Sequence, residues 1–140
     1  MSISLPNVRV LIAEADAELA ERLQHVLEGM QVSVEWEANG SRATDRALND
    51  KFDLLMLAID LPIFGGHDVL SLCRQRRVSC PAIALHNVDE SDTEPTLNQS
   101  GFAAAINRNL LDIEQLETTL RSALPARVEE VKKNSRIAAG

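Results

Sequence analysis

Short apolar runs alternate with stretches of helical spacing along the chain. Val8-Arg9-Val10-Leu11-Ile12-Ala13 is short, apolar and rich in β-branched residues, which predicts a buried strand. Asp16 follows as a helix N-cap, its carboxylate suited to the positive end of a helix. Leu19, Leu23, Val26, Leu27 and Met30 then recur at helical spacing, and Gly29 marks the stop. Val32-Ser33-Val34-Glu35-Trp36 alternates and predicts a second strand. Asn39-Gly40-Ser41 is a turn and cap ahead of a short helix through Ala43, Ala47 and Leu48. Asp53 to Ile59 is the most hydrophobic stretch and predicts a central strand buried on both faces. Pro62 and Gly65-Gly66 mark a loop, followed by a helix through Val69, Leu70, Leu72 and Cys73. Pro81-Ala82-Ile83-Ala84-Leu85 and Phe102-Ala103-Ala104-Ala105-Ile106 predict the fourth and fifth strands. A last helix starts near Asp112, with Ile113, Leu116, Leu120 and Leu124 on one face.

Residues 87–100 interrupt this rhythm, being polar and acidic with few apolar anchors. Pro95 fits only the first turn of a helix, so a short or late helix after a mobile loop is expected there. From Pro125 onward the chain is polar, and residues 125–140 are expected to form a flexible tail behind one domain, 1–124. A βα unit repeated five times implies an α/β fold with a parallel sheet covered on both faces. The expected architecture is a flavodoxin-like (βα)5, doubly wound, five-stranded parallel sheet in the order 2-1-3-4-5. Its functional crevice lies at the carboxyl ends of strands one and three, where Glu14, Ala58, His86 and Arg108 should converge.

Composition narrows the chemistry. At 140 residues the chain suits a single domain, large enough to fold without a disulfide or a metal. Aromatics are 3% with no Tyr, so the core must be built from Leu, Val, Ile and Ala. A net charge of −7 disfavours nucleic acid and anionic membrane as partners. No apolar run reaches the length of a membrane span, and the first residues lack a signal-peptide pattern, so a cytoplasmic location is expected. Cys73 and Cys80 fit that setting as reduced thiols, and they form no ligand set with His25, His67 or His86. With no P-loop and no GxGxxG, neither a metal nor a cofactor is expected. Arg74, Arg76 and Arg77 read as a solvated helix end, with a partner patch as the alternative.

From Val8 to Leu124 the chain resembles a response-regulator receiver domain. The resemblance rests on the element order, on Val10-Leu11-Ile12-Ala13-Glu14-Ala15-Asp16, on Phe52 to Gly66, and on the interval from His86 to Gly101. It implies an acidic pair that helps hold Mg²⁺, a phosphoacceptor aspartate after strand three, a hydroxyl after strand four, and a Lys-Pro after strand five. An aromatic switch residue in strand five is also implied. Those positions fall here on Glu14 and Ala15, on Ala58, on His86, on Arg108 and Asn109, and on Ala105. Each departs from the family pattern, and a methyl group at Ala58 cannot take up phosphate. Asp60, two residues on, should point elsewhere in the turn. His86 reads as a hydrogen-bonded residue at a strand end, with a phosphorylated or pH-sensing histidine as the alternative.

The same replacements suggest a positive arrangement. Either Glu14 and Arg108 meet across the crevice as a charge-assisted pair, joined by Asp60, or both are solvated at its rim. The resemblance then implies a non-phosphorylatable pseudo-receiver, not an enzyme, acting as a protein–protein interaction module in bacterial-type signal transduction. Its partner would be a signalling protein: a histidine kinase, phosphotransfer protein, adaptor or transcription regulator, with a homodimer as a further case. The face that commonly makes such contacts in receivers maps to Pro95, Leu97, Ala105, Asn107 and Asn109 and to the exposed side of the last helix. The alternatives are an atypical phosphoacceptor using Asp60 and a small-molecule-binding flavodoxin-like domain.

Overall fold

In the computed structural model, residues 2–87, 100–108 and 112–131 are described. They form seven strands and four helices: β1 (Ser2–Ser4), β2 (Arg9–Ala13), α1 (Ala17–Gly29), β3 (Ser33–Glu37), α2 (Gly40–Asn49), β4 (Leu54–Ala58), α3 (Gly66–Gln75), β5 (Ala82–His86), β6 (Ala104–Asn107), α4 (Ile113–Ala123) and β7 (Glu129–Val131). Five of the strands make one parallel sheet in the order β3-β2-β4-β5-β6. Counting from β2, this is the expected 2-1-3-4-5 order. The expected helix around Pro95 falls outside the described residues.

The sheet forms where the apolar runs lie. Every residue of β4, Leu54 to Ala58, is fully buried, as a central parallel strand requires. Three of the four described helices start where a short polar side chain satisfies a free backbone N–H group, while α3 starts at Gly65 with no such bond. Asp16 accepts from Leu19 N, Asn39 from Arg42 N and Asp112 from Gln115 N. Along α1, Leu19, Leu23 and Leu27 recur at three- to four-residue spacing and enter the core.

The chain after Pro125 departs from expectation. Residues 129–131 pair antiparallel with β1, Ser4 opposite Glu129 and Ser2 opposite Val131. The tail expected from residue 125 is therefore fixed to the domain over its first seven residues. Several hydrogen bonds hold this ribbon to the domain. Arg127 reaches Asp53 at 2.8 Å and the carbonyl of Asn7 at 2.9 Å. The backbone N–H of Ile3 donates to Glu117 of α4 at 3.0 Å while the Ile3 side chain is buried. Residues 132–140 lie outside the described part.

Candidate functional site

The crevice at the carboxyl ends of β2 and β4 is shaped by a tightly tied loop, residues 59–65. Ile59 N donates to Leu85 O, and Gly66 N returns to Ile59 O. A Cβ on Gly66 would stand 2.7 Å from the carbonyl oxygen of Ala58, so only glycine lets α3 start this close to β4. On the other side, Gly40 N donates to Pro62 O at 3.1 Å and ties the loop to α2.

Arg108, directly after β6, fills the mouth of this crevice. Its Nη1 donates to Glu14 Oε1 at 2.7 Å and to Asp60 Oδ1 at 2.9 Å. Its Nη2 donates to Asp60 Oδ2 at 2.9 Å, completing a two-pronged contact with that carboxylate. Its Nε donates to the Asn87 side-chain oxygen at 3.1 Å. The Arg108 and Glu14 side chains are only 8% and 2% exposed, whereas that of Asp60 is 51% exposed. Glu14 is fixed from behind as well. Its second oxygen accepts from Asp16 N, and its carbonyl accepts from the indole N–H of Trp36 at 2.7 Å.

The electrostatics follow from this contact list. Hydrogen bonding from Arg108 holds the Asp60 carboxyl below its ordinary value, against a smaller opposing effect of burial. Burial alone would ease the proton off Arg108, but hydrogen bonds to Asp60 and Glu14 outweigh it and raise its pKa. Asp60 and Arg108 are therefore both held charged at neutral pH.

Of the residues expected to converge, Glu14 and Arg108 do so, and the pair forms directly. Asp60 was expected either to point elsewhere in its turn or to join the pair; it faces Arg108 and joins it. Ala58 lies fully buried at the end of β4, and Ala15 is exposed beside Glu14. His86 is buried at the end of β5; its Nδ1 lies 3.3 Å from Asn87 O and its Nε2 has no partner among the described residues. Among the described residues the expected hydrogen-bonded histidine is thus satisfied at one ring nitrogen. Of the expected partner face, Asn107 is buried and Ala105 half-buried, so neither offers an open contact surface. Pro95, Leu97 and Asn109 fall outside the described residues. Sequence reasoning missed Asn87 and Trp36. The available signals were that Asn87 directly follows β5, and that Trp36 is the chain's one tryptophan and lies on the edge strand β3.

This topology and crevice define the class. Residues 10–121 match the response regulator receiver domain family, and the chain belongs to it. The chain is 29% identical to the response regulator protein PmrA of Pseudomonas aeruginosa, over 82% of its own length and 52% of PmrA. It is 29% identical to the cell cycle transcriptional regulator CtrA of Caulobacter vibrioides, over 62% of this chain and 38% of CtrA. The chain thus spans about half the length of PmrA and less of CtrA. Among solved structures, the receiver domain of Francisella response regulator 1452 superposes with a TM-score of 0.77 at 18% identity, covering 86% of this chain and 98% of that one. A putative response regulator from Chloroflexus aurantiacus superposes at 0.78 and 21% identity, with the same coverage.

The resemblance implied Mg²⁺ in this crevice, and the donor set does not fit it. Mg²⁺ takes near-octahedral oxygen ligands with one or two carboxylates. Ala15 and Ala58 present methyl groups, and the carboxylates of Glu14 and Asp60 already accept from Arg108. Among the described residues, no group of three His, Cys, Asp or Glu side chains stands ready for a metal ion.

Proposed function

We infer that this receiver domain is a pseudo-receiver: it takes up no phosphoryl group and signals by binding another protein through its surface. The observation that carries this reading is the Arg108 guanidinium, bound across the crevice to Glu14 and Asp60. A phosphorylation site needs an acceptor carboxylate, a cation and open space for the transferred group. Here the acceptor position is a methyl, and the space between the carboxylates holds the protein's own cation. Asp60 is a poor substitute acceptor, because both of its oxygens are engaged by Arg108 and its nucleophilic lone pairs are directed there. The partner is a protein of the signalling apparatus: a histidine kinase, a phosphotransfer protein, an adaptor or a transcription regulator, or a second copy of this chain. No catalytic step is assigned to the domain.

Trp36 supplies the test, since its indole bonds the backbone of Glu14. Acyl phosphate or beryllofluoride with Mg²⁺ is titrated while Trp36 emission and acid-labile phosphate are followed. The expected result is no saturable emission change and no label. Label that appears in the wild type and disappears in Asp60→Asn would instead establish Asp60 as an acceptor.

A further inference from the structure

The loop between β4 and α3 presents an apolar knob. Pro62, Ile63 and Phe64 are consecutive and all exposed, Ile63 at 71% and Phe64 at 37%. Ile63 stands at φ 72°, where a β-branched side chain is disfavoured. The knob is nevertheless held firmly. Leu61 beside it is buried, and Gly40 N and Phe64 N both donate to Pro62 O. The fold thus keeps a large apolar side chain in solvent at a backbone position that suits glycine. Outliers of this kind, imposed by their surroundings, cluster at ligand clamps and switch regions.

A matching concavity lies elsewhere on the molecule. Between α1 and the first turns of α4 runs an open groove of about 930 Å³, within the roughly 300–1,000 Å³ of ordinary binding clefts. Val26, half-buried, and Ile113, 58% exposed, line it above the buried Leu23 and Leu116. Glu18, Glu21 and Glu28 make its α1 rim mainly acidic, against Arg22 and His25. The knob cannot fill the groove of its own chain. The sheet order sends the chain one way through α1 and the other way through α2 and α3. Right-handed crossovers then put α1 on one face and α2 and α3 on the other. The knob is tied to α2 at Gly40 and leads into α3, whereas the groove runs along α1.

We propose that the knob of one copy seats in the α1–α4 groove of a second copy, head to tail. Ile63 and Phe64 enter against Val26 and Ile113. Arg42, exposed on α2 just past the tie at Gly40, meets the glutamates of the rim. Asp68, exposed in the first turn of α3, is the knob's opposing charge, with Arg22 as its counterpart. Each docked chain keeps one knob or one groove free, so the contact repeats instead of closing on a two-fold axis. The knob is small beside a standard interface of about 1,600 Å², so the association is weak and concentration-dependent. Its preformed shape offsets part of that, because little freedom is lost on docking. This inference rests on the reading of the domain as a protein-binding module and names its partner as a second copy. Phosphoryl uptake is read separately by the titration above, so the two can fail independently.

Sedimentation velocity on the full chain is the test, in moderate salt to screen the net charge of −7 that holds copies apart. The wild-type coefficient is expected to climb with protein concentration up to about 1 mM, the range of weak association. Ile63→Asp and Ile113→Asp should each sediment as monomers. Their equimolar mixture should form dimers and nothing larger, since it pairs one intact groove with one intact knob. Both side chains are exposed, Asp suits a positive φ better than Ile, and an acid suits the first turn of α4, so both variants fold. A wild type that stays monomeric throughout would overturn the proposal. So would a mixture that stays monomeric, or either single variant that still dimerises, which is the mark of a symmetric contact.

Discussion

Arg108 decides the character of the crevice, and its removal has a calculable consequence. Glu14 is nearly inaccessible and is placed by Asp16 N and by the strand that precedes it, so it cannot move out to water. Arg108→Ala strands that charge and should destabilise the fold by about 3 kcal/mol, read as a fall in the urea midpoint. Arg108→Lys keeps the charge without the planar fork and should recover only part of the loss. Asp60 is half exposed, so Asp60→Asn should cost about 1 kcal/mol or less. The pH dependence of that smaller effect has a definite sign. The Asp60 carboxyl is depressed in the fold, so its stabilisation is complete above the ordinary carboxylate pKa near 3.9 and fades as pH falls through the lower, folded value. The stability difference between wild type and Asp60→Asn should therefore stay level from pH 8 to about 5 and close below about 4.

At the scale of elements, the loop between β4 and α3 carries an unusual residue. Ile63 has φ 72°, is 71% exposed, and is β-branched, which disfavours the left-handed region. The conformation is imposed by its neighbours, since Gly40 N and Phe64 N both bond Pro62 O. Ile63→Gly should raise stability by about 1 kcal/mol, seen as a melting temperature about 4 °C higher, with the Arg108 contacts unchanged. Gly40→Ala should act in the opposite direction. Its Cβ would fall 1.9 Å from the Phe64 carbonyl oxygen, forcing the loop off α2. The main elements were legible in the sequence because each had a local signature. The apolar run Leu54–Ala58 and the caps Asp16, Asn39 and Asp112 specify their own conformations. The sequence left the direction of Asp60 open between two readings. That direction depends on a non-local bond to Arg108, 48 residues away, and on a loop whose path is set by Gly40 and Leu85.

The described residues form a receiver-type sheet and a second, small ribbon that joins residues 2–4 to residues 129–131. That ribbon escaped sequence reading because β1 and β7 are three residues each, too short for a periodic signal, and are paired over a separation of about 130 residues. Its anchors are nevertheless core-like. Ile3 is 2% exposed, so Ile3→Ala should destabilise the domain by about 2–4 kcal/mol, measured by chemical unfolding. A loss of under about 0.5 kcal/mol, the range of ordinary surface changes, would show that the ribbon is not part of the cooperative fold.

The central claim is that the crevice has been rebuilt around Arg108, and not merely deprived of one aspartate. The most direct measurement is the ¹H–¹⁵N spectrum of Ala58→Asp titrated with beryllofluoride and Mg²⁺. Restoring the acceptor alone should leave the amides of Glu14, Asp60 and Arg108 where they are, because Ala15 still lacks a carboxylate and Arg108 still holds the other two. Saturable, Mg²⁺-dependent shifts of those amides would contradict the account.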